Sequence, residues 1–302
     1  MTSSAEAARE ACQQVGLSPA GIRVVHEHAT AVITHDAAGI AIRVSGPGFG
    51  REAARRAVAV AGWLAAQGFP ATAPVPGLVP VEASGRIVTF WRYYPQPEGK
   101  SPPVAALGSL LRDLHSMPPP PVNLPPYRPL EDLGAALAQG NALAEDDRAW
   151  LLRRRSELIS AYQQLTTALG IGMIHGDAYP GNLLWDGNRV LLGDWDEAAT
   201  GPRELDLANT YQGQRFGRSE MELRAFADTY GHDLREWPGF GLLVEMRDLH
   251  TLGSFIRRAG TGSDSARTEL AYRIKTLKTL DTDARWHAAQ LCGRPQLMRV
   301  PS

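Results

Sequence analysis

The sequence predicts an α+β chain built in two lobes, a small antiparallel sheet followed by a mostly helical region. Three observations carry that reading. Ile22 to Val25, Ala31 to Thr34 and Gly39 to Val44 are short β-rich runs separated by turn-like residues. Beyond Asp206 the periodic segments read as helix throughout. Between these regions, Asp186-Gly187-Asn188 separates two short apolar runs, which is strong hairpin punctuation. A chain of 302 residues is long enough for a sizeable core and either two domains or one two-lobed unit. Apolar residues at 44% and charged residues at 21% exclude a disordered chain. The formal charge of −1 supplies no long-range field for nucleic acid or an acidic membrane surface, so neither is expected as a partner. Any phosphate must be held by local geometry.

In order along the chain, residues 3–15 read as an Ala-rich helix ending at Gly16. The second and third β-rich runs are joined by Asp36-Ala37-Ala38-Gly39. His26 and His28 alternate along a strand edge, and with no third ligand nearby a solvated edge is favoured over a metal site. A helix from about Arg51 to Gln67 stops at Gly68 before Pro70. Pro80 to Glu82 and Arg86 to Phe90 form another strand pair around Ser84-Gly85. Val104 to Met117 is amphipathic, with Leu107, Leu110, Leu111 and Leu114 on one face, and Pro118 to Pro121 stop it. Helices follow over roughly 130–142 and 145–169, then near 205–214, 219–231, 238–259 and 263–290. Cys12 and Cys292 have no metal-like spacing, and no basic stretch followed by an apolar one opens the chain. A reducing cytoplasm is the expected location.

The chemistry concentrates in Ile174 to Asp196. An apolar lead-in reaches His-Gly-Asp-Ala-Tyr-Pro-Gly-Asn, and after the hairpin turn the run Val-Leu-Leu-Gly ends in Asp194-Trp195-Asp196. A hairpin returns the chain on itself, so Asp194 comes back beside the loop holding Asp177 and Asn182. Two carboxylates and an amide oxygen in one small volume repel unless a cation shares it. Oxygen-only ligands suit magnesium, which takes one or two carboxylates together with substrate phosphates.

This spacing resembles the Brenner-type catalytic loop of the aminoglycoside phosphotransferase and choline kinase group, small-molecule relatives of the protein kinases. His-Gly-Asp, four residues and Asn, then a downstream Asp closing an apolar strand, agree in order with that pattern. The resemblance implies a protein-kinase-like fold with a nucleotide-binding lobe at 1–93 and a helical lobe carrying catalytic loop and substrate site at 94–302. It implies Asp177 as the base for the acceptor hydroxyl, Asn182 and Asp194 as metal ligands, and His175 in support; Asp196 stays open between a second metal, the acceptor and solvent, with a supporting role favoured. Gly-Pro-Arg-Glu-Leu-Asp-Leu-Ala at 201–208 resembles the family's continuation, in which Asp206 hydrogen-bonds back to the loop. Arg43 occupies the strand position of the phosphate-gripping Lys; Trp91 and Tyr93 fall where the backbone of the hinge reads the adenine, their rings open equally to a core or a binding role; residues 26–30 fall over the phosphates. The His115 that ends the helix at 104–117 reads as a packed or capping residue.

The function so implied is transfer of the γ-phosphoryl of ATP or GTP, with Mg2+, to a hydroxyl of an antibiotic or metabolite, by a monomer or weak homodimer. From Asp194 to Asp206 there is no room for a protein kinase's activation segment. A metallohydrolase built on His175, Asp177, Asp194 and His115 lacks His residues at ligand spacing. The rival reading is a catalytically weak kinase-like protein that binds nucleotide or a small ligand. Acidic residues do not outnumber basic ones after residue 209, which disfavours a strongly polycationic acceptor. One departure stands out: the helix Glu expected to pair with the strand cation falls at Ala57. That predicts an Arg43 with nothing to hold it in the unliganded protein, modest nucleotide affinity, and tighter binding in Ala57→Glu.

Overall fold

The computed structural model describes residues 3–27, 30–46, 48–139 and 142–287; His28, Cys292 and the end of the helix expected at 263–290 lie outside these. Strands β1 (Ile22–Glu27), β2 (Ala31–His35), β3 (Ile40–Val44), β4 (Val81–Ala83) and β5 (Arg86–Arg92) form one sheet in the order β1-β2-β3-β5-β4, antiparallel at each junction. The first strand runs further than the sequence suggests. His26 and Glu27 pair with Val32 and Ala31, so the first two residues of the stretch expected over the phosphates are strand.

Alternation decides what each sheet face does. Ile40, Ile42 and Val44 of β3, with Val88 and Phe90 of β5, bury against Ala7, Ala8 and Ala11 of helix α1 (Ser4–Gln14). Ser3 opens α1 with a capping box to Glu6. The intervening residues face the other way. There Trp91 joins a core with Ala57, Val60, Ala61 and Leu64 of helix α2 (Arg51–Ala66), and Arg43 points from the same face.

The rest is helical around two short strand pairs. Helix α3 (Val104–His115) buries Leu107, Leu110, Leu111 and Leu114, the expected stripe. Helices α4 (Glu131–Gln139) and α5 (Glu145–Gln163) follow, α5 ending six residues before the predicted limit of 169. Strand β6 (Ile171–Ile174) pairs with β9 (Ala199–Pro202), a pairing the sequence did not announce because four-residue strands carry little periodicity. The hairpin of β7 (Leu183–Asp186) and β8 (Arg189–Leu192) turns at Gly187-Asn188, Gly187 holding φ +61°. Then come α6 (Glu204–Tyr211), α7 (Glu220–Tyr230), α8 (Phe240–Gly260) and α9 (Asp264–Lys278), the last shorter than the run to 290 suggested. Trp286 accounts for part of that error. Its ring is 4% exposed, flanked by the guanidinium groups of Arg215 and Arg273, in a folded-back segment. No helix among the described residues is long and apolar enough to cross a membrane.

Candidate active site

The catalytic-loop region hangs on one fully buried carboxylate. Asp206, in the first turn of α6, accepts from the His175 N–H through Oδ2 (2.7 Å) and from the Gly176 N–H through Oδ1 (2.8 Å). His115 Nε2 lies 3.1 Å from the same Oδ2, and its Nδ1 lies 2.9 Å from the Tyr230 hydroxyl. The position at the end of α3 is thus a buried support for Asp206. Asn209 Nδ2 adds a bond to the Gly176 carbonyl. Gly176 could be no other residue: its φ is +83°, and a Cβ there would stand 2.3 Å from the Glu197 carbonyl oxygen. His175 is fixed as the neutral tautomer protonated at Nε2. That nitrogen faces the Gly193 carbonyl, which can only accept, while Nδ1 faces the Asp177 N–H, which can only donate.

Asn182 and Asp194 converge across the hairpin. Asn182 Nδ2 donates to the Asp177 carbonyl (2.9 Å), which assigns the amide's nitrogen and leaves its oxygen as the donor atom for a cation. The Asn182 carbonyl accepts from Gly193, tying the loop to the residue before Asp194. Asp194 itself holds φ +65°, a conformation that costs a non-Gly residue on the order of 1–3 kcal/mol and tends to persist at functional sites. No cluster of three or more His, Cys, Asp or Glu that could hold a metal occurs among the described residues. Two protein ligands, one carboxylate and one amide oxygen, nevertheless fit magnesium, whose remaining positions go to water and phosphate oxygens.

Arg43 is held, contrary to the expectation drawn from Ala57. Its Nη2 donates to Asp194 Oδ1 (2.8 Å) and lies 2.9 Å from Asp196 Oδ2, while Nη1 donates to Asp196 Oδ1 (3.1 Å). Burial alone would lower the guanidinium's pKa, but the two carboxylates outweigh it and the net direction is up. The Asp196 carboxyl is pushed up, first by burial and then by Asp194, with Arg43 opposing. Ala57 is 1% exposed within the core, and Glu52 pairs with Arg55. The inference that Arg43 lacks a partner overlooked a carboxylate 153 residues away.

The wall opposite the loop comes from α8. Arg247 Nη2 donates to Asp177 Oδ1 in a largely buried ion pair, and the Arg247 charge is further favoured by that carboxylate after burial has opposed it. Asp248, the next residue, locks the helix from its other side by accepting from Arg215 Nε (3.1 Å) and Gln212 Nε2 (3.0 Å). The Tyr127 hydroxyl is pushed up to about 12, mainly by burial, within the field of Arg247, Glu197 and Asp177. Glu197 is raised by burial and then by Asp177, Asp196, Asp194 and Asp132. His250, one turn along α8 from Arg247, is pushed down to about 4, by burial first and Arg247 second.

The structure therefore brings together Asp177, His175, Asn182, Asp194, Asp196, Asp206 and Arg43. It sets Trp91 apart. The indole is 7% exposed with its N–H donated to Thr89 Oγ1 (2.8 Å), so its side chain is core and has no face for a base. Tyr93 follows β5, and its N–H is taken by the Gly39 carbonyl, so a ligand edge would have to use other groups of that segment. Sequence reasoning missed Arg247, Tyr127, Glu197 and His250. Only Glu197 had a local signal, as the third acid within 194–197; Arg247 lies 70 residues from its partner.

With the geometry established, comparison with known proteins gives the class. The pattern of the phosphotransferase enzyme family, APH, matches residues 26–243, well over half of the chain. The chain belongs to this family and is a phosphotransferase of the small-molecule kinase type. No curated protein matches it. Among solved structures, the microcompartment-associated aminopropanol kinase is similar at 17% identity and TM-score 0.68, over 91% of this chain and 97% of that one. The amicoumacin kinase hAmiN in complex with AMP-PNP, Ca2+ and Ami aligns at 13% identity and TM-score 0.66, over 89% and 91%. A choline/ethanolamine kinase family protein from Mesorhizobium loti aligns at 18% and 0.63, over 87% and 90%. At such identities these three establish a shared two-lobed fold.

Proposed function

We propose that the protein transfers the γ-phosphoryl group of ATP or GTP to a hydroxyl of a small molecule, an antibiotic or a metabolite. The nucleotide would lie between the sheet lobe, ending near Tyr93, and the helical lobe that follows. One observation carries the reading: Asp177, Asn182 and Asp194 share one loop-and-hairpin unit onto which Arg43 of the sheet lobe folds. In the reaction the acceptor oxygen bonds the γ-phosphorus as the bond from that phosphorus to the β–γ bridging oxygen breaks, and the nucleoside diphosphate leaves. The hydroxyl proton passes to Asp177. Arg247 occupies Oδ1, so Oδ2 is the oxygen left for that proton. Arg43 offers the phosphates its charge and the guanidinium N–H groups that its carboxylate partners leave free.

Asn182 and Asp194 would hold Mg2+, which supplies neutralisation of phosphate charge when bound. His175 and Asp206 keep the loop in register, as their bonds to its backbone indicate. The reaction would take place in the cytoplasm, in a monomer or weak homodimer. Acidic residues do not outnumber basic ones after residue 209, which supports an acceptor other than a strongly polycationic one. The test is a screen of hydroxylated metabolites and antibiotics with ATP, GTP and magnesium, read by mass. A gain of one phosphoryl group on any acceptor, lost in Asp177→Asn, supports the proposal. Nucleotide binding with no acceptor modified across a broad panel would favour a binding module instead.

A further inference from the structure

Arg43 needs something to fix it, and α2 does not provide it. Ala57 is buried among apolar side chains, Glu52 is paired with Arg55, and Arg51 with Glu82. The guanidinium instead makes two kinds of contact with the acidic pair. Toward Asp196 it is bidentate, Nη1 to Oδ1 at 3.1 Å and Nη2 to Oδ2 at 2.9 Å; toward Asp194 it makes a single bond at 2.8 Å. The difference matters because parallel fork contacts fix the plane of a guanidinium, whereas one bond lets it swing. Arg43 and Asp196 are also the better shielded pair, with side chains 18% and 20% exposed against 41% for Asp194. Asp196 sits in the turn Trp195–Glu197, and α2 packs on that turn.

We propose that Asp196 is the positioning residue for Arg43, replacing a helix carboxylate with one from the helical lobe. The inference rests on the phosphotransferase reading above. Asp194 can then turn to a cation without releasing Arg43, because the fork to Asp196 remains. The cation that grips phosphate is thus set by contact between the lobes, and α2 serves as an apolar buttress.

The test separates phosphate binding from metal binding by titrating ADP calorimetrically in excess EDTA. Wild type, Asp196→Asn, Asp196→Glu, Arg43→Ala and the Asp196→Asn/Arg43→Ala double variant are compared, with folding checked by circular dichroism. Losing a charged hydrogen-bonding partner should weaken metal-free ADP binding roughly tenfold in Asp196→Asn. Asp196→Glu, which keeps a carboxylate, should recover most of it. In the Arg43→Ala background the second substitution should add nothing. Should Asp196→Asn fail to fold, Asp196→Ser takes its place in the same comparison: weakening close to that of Arg43→Ala and recovered in Asp196→Glu supports the proposal, and near-wild-type binding in the Ser variant overturns it. Unchanged affinity in Asp196→Asn, or full additivity with Arg43→Ala, also overturns it while leaving the phosphotransferase reading intact. A wild-type protein that binds no nucleotide with or without magnesium overturns both.

Discussion

The catalytic loop and the wall that faces it are built by opposite means. In the loop, Asp206, His175, Asn182 and Asp177 lie within about thirty residues and hold one another through backbone N–H and C=O groups, as at His175 and Gly176. The wall is held by side chains meeting across long separations: Arg247 with Asp177, and Arg257 with Asp132 over 125 residues. Backbone partners are supplied by any sequence that adopts the loop, whereas each wall contact depends on two particular side chains. Under the proposed function, the loop would set the chemistry while the wall varies with the acceptor.

Breaking the loop should have the largest effects. Asp177→Asn should lower kcat by roughly a hundred- to ten-thousandfold, the usual range for removing a general base, with calorimetry showing nucleotide binding retained. Near-normal kcat would remove Asp177 from the reaction. Asp206→Ala leaves the N–H groups of His175 and Gly176 without their acceptor in the interior, a loss on the order of 3 kcal/mol. Chemical denaturation should show it. If stability is unchanged, the loop is organised by something else. Asp194→Ala should strip the magnesium dependence from nucleotide binding, and Asn182→Ala should do so more mildly, since a carboxylate is the stronger charge partner. Unaltered magnesium dependence in Asp194→Ala would count against the ligand assignment.

The same contrast explains what could be read from the sequence. The sheet lobe, the α3 stripe, the hairpin at 186–188 and the loop residues were legible because each is a local pattern of period, turn or spacing. Helix ends were less so: α9 stops at Lys278, and the chain after it folds back to bury Trp286, so a hydrophobic residue read as helical is tertiary core. Trp91 was open between core and binding site for a related reason, since a strand aromatic near a hinge and a strand aromatic in a core look alike until the opposite face is known; its side chain lies in the core. Arg43 shows the limit most clearly. Its gap at Ala57 is real in the sequence, yet the compensating acid was already in view as Asp196, and only the fold joins them. Ala57→Glu consequently changes from a tightening substitution to a buried, unpaired carboxylate in an apolar core.

The wall can be probed at Arg247. Arg247→Ala removes the guanidinium from Asp177 Oδ1 and frees the carboxylate to rotate; a charged hydrogen bond of this kind corresponds to roughly ten- to a hundredfold in kcat. Arg247→Lys keeps the charge and loses the fixed plane, so it should fall between wild type and Ala. If the Ala variant is as active as wild type on the identified acceptor, the wall does not orient the base.

The smallest effect at neutral pH, and the sharpest distinction between wall and loop, lies at His250. Burial and the neighbouring Arg247 push this imidazole down to about 4 from its ordinary 6.5, against the pull of Asp177 and Asp132. The sign follows from proton binding. Between pH 6.5 and about 4 the unfolded chain takes up a proton at this site and the folded chain does not, so stability falls as the pH falls through that window. Below about 4 the loss is complete, and it amounts to up to about 3 kcal/mol for a shift of this size. His250→Gln has no proton to take up in either state. Its stability should match wild type at pH 7.5 within a small offset, and the difference should then move in the variant's favour as the pH is lowered to 4.5. Parallel curves for the two proteins would show that His250 charges as readily folded as unfolded, and that the wall beside Arg247 is open to water rather than closed.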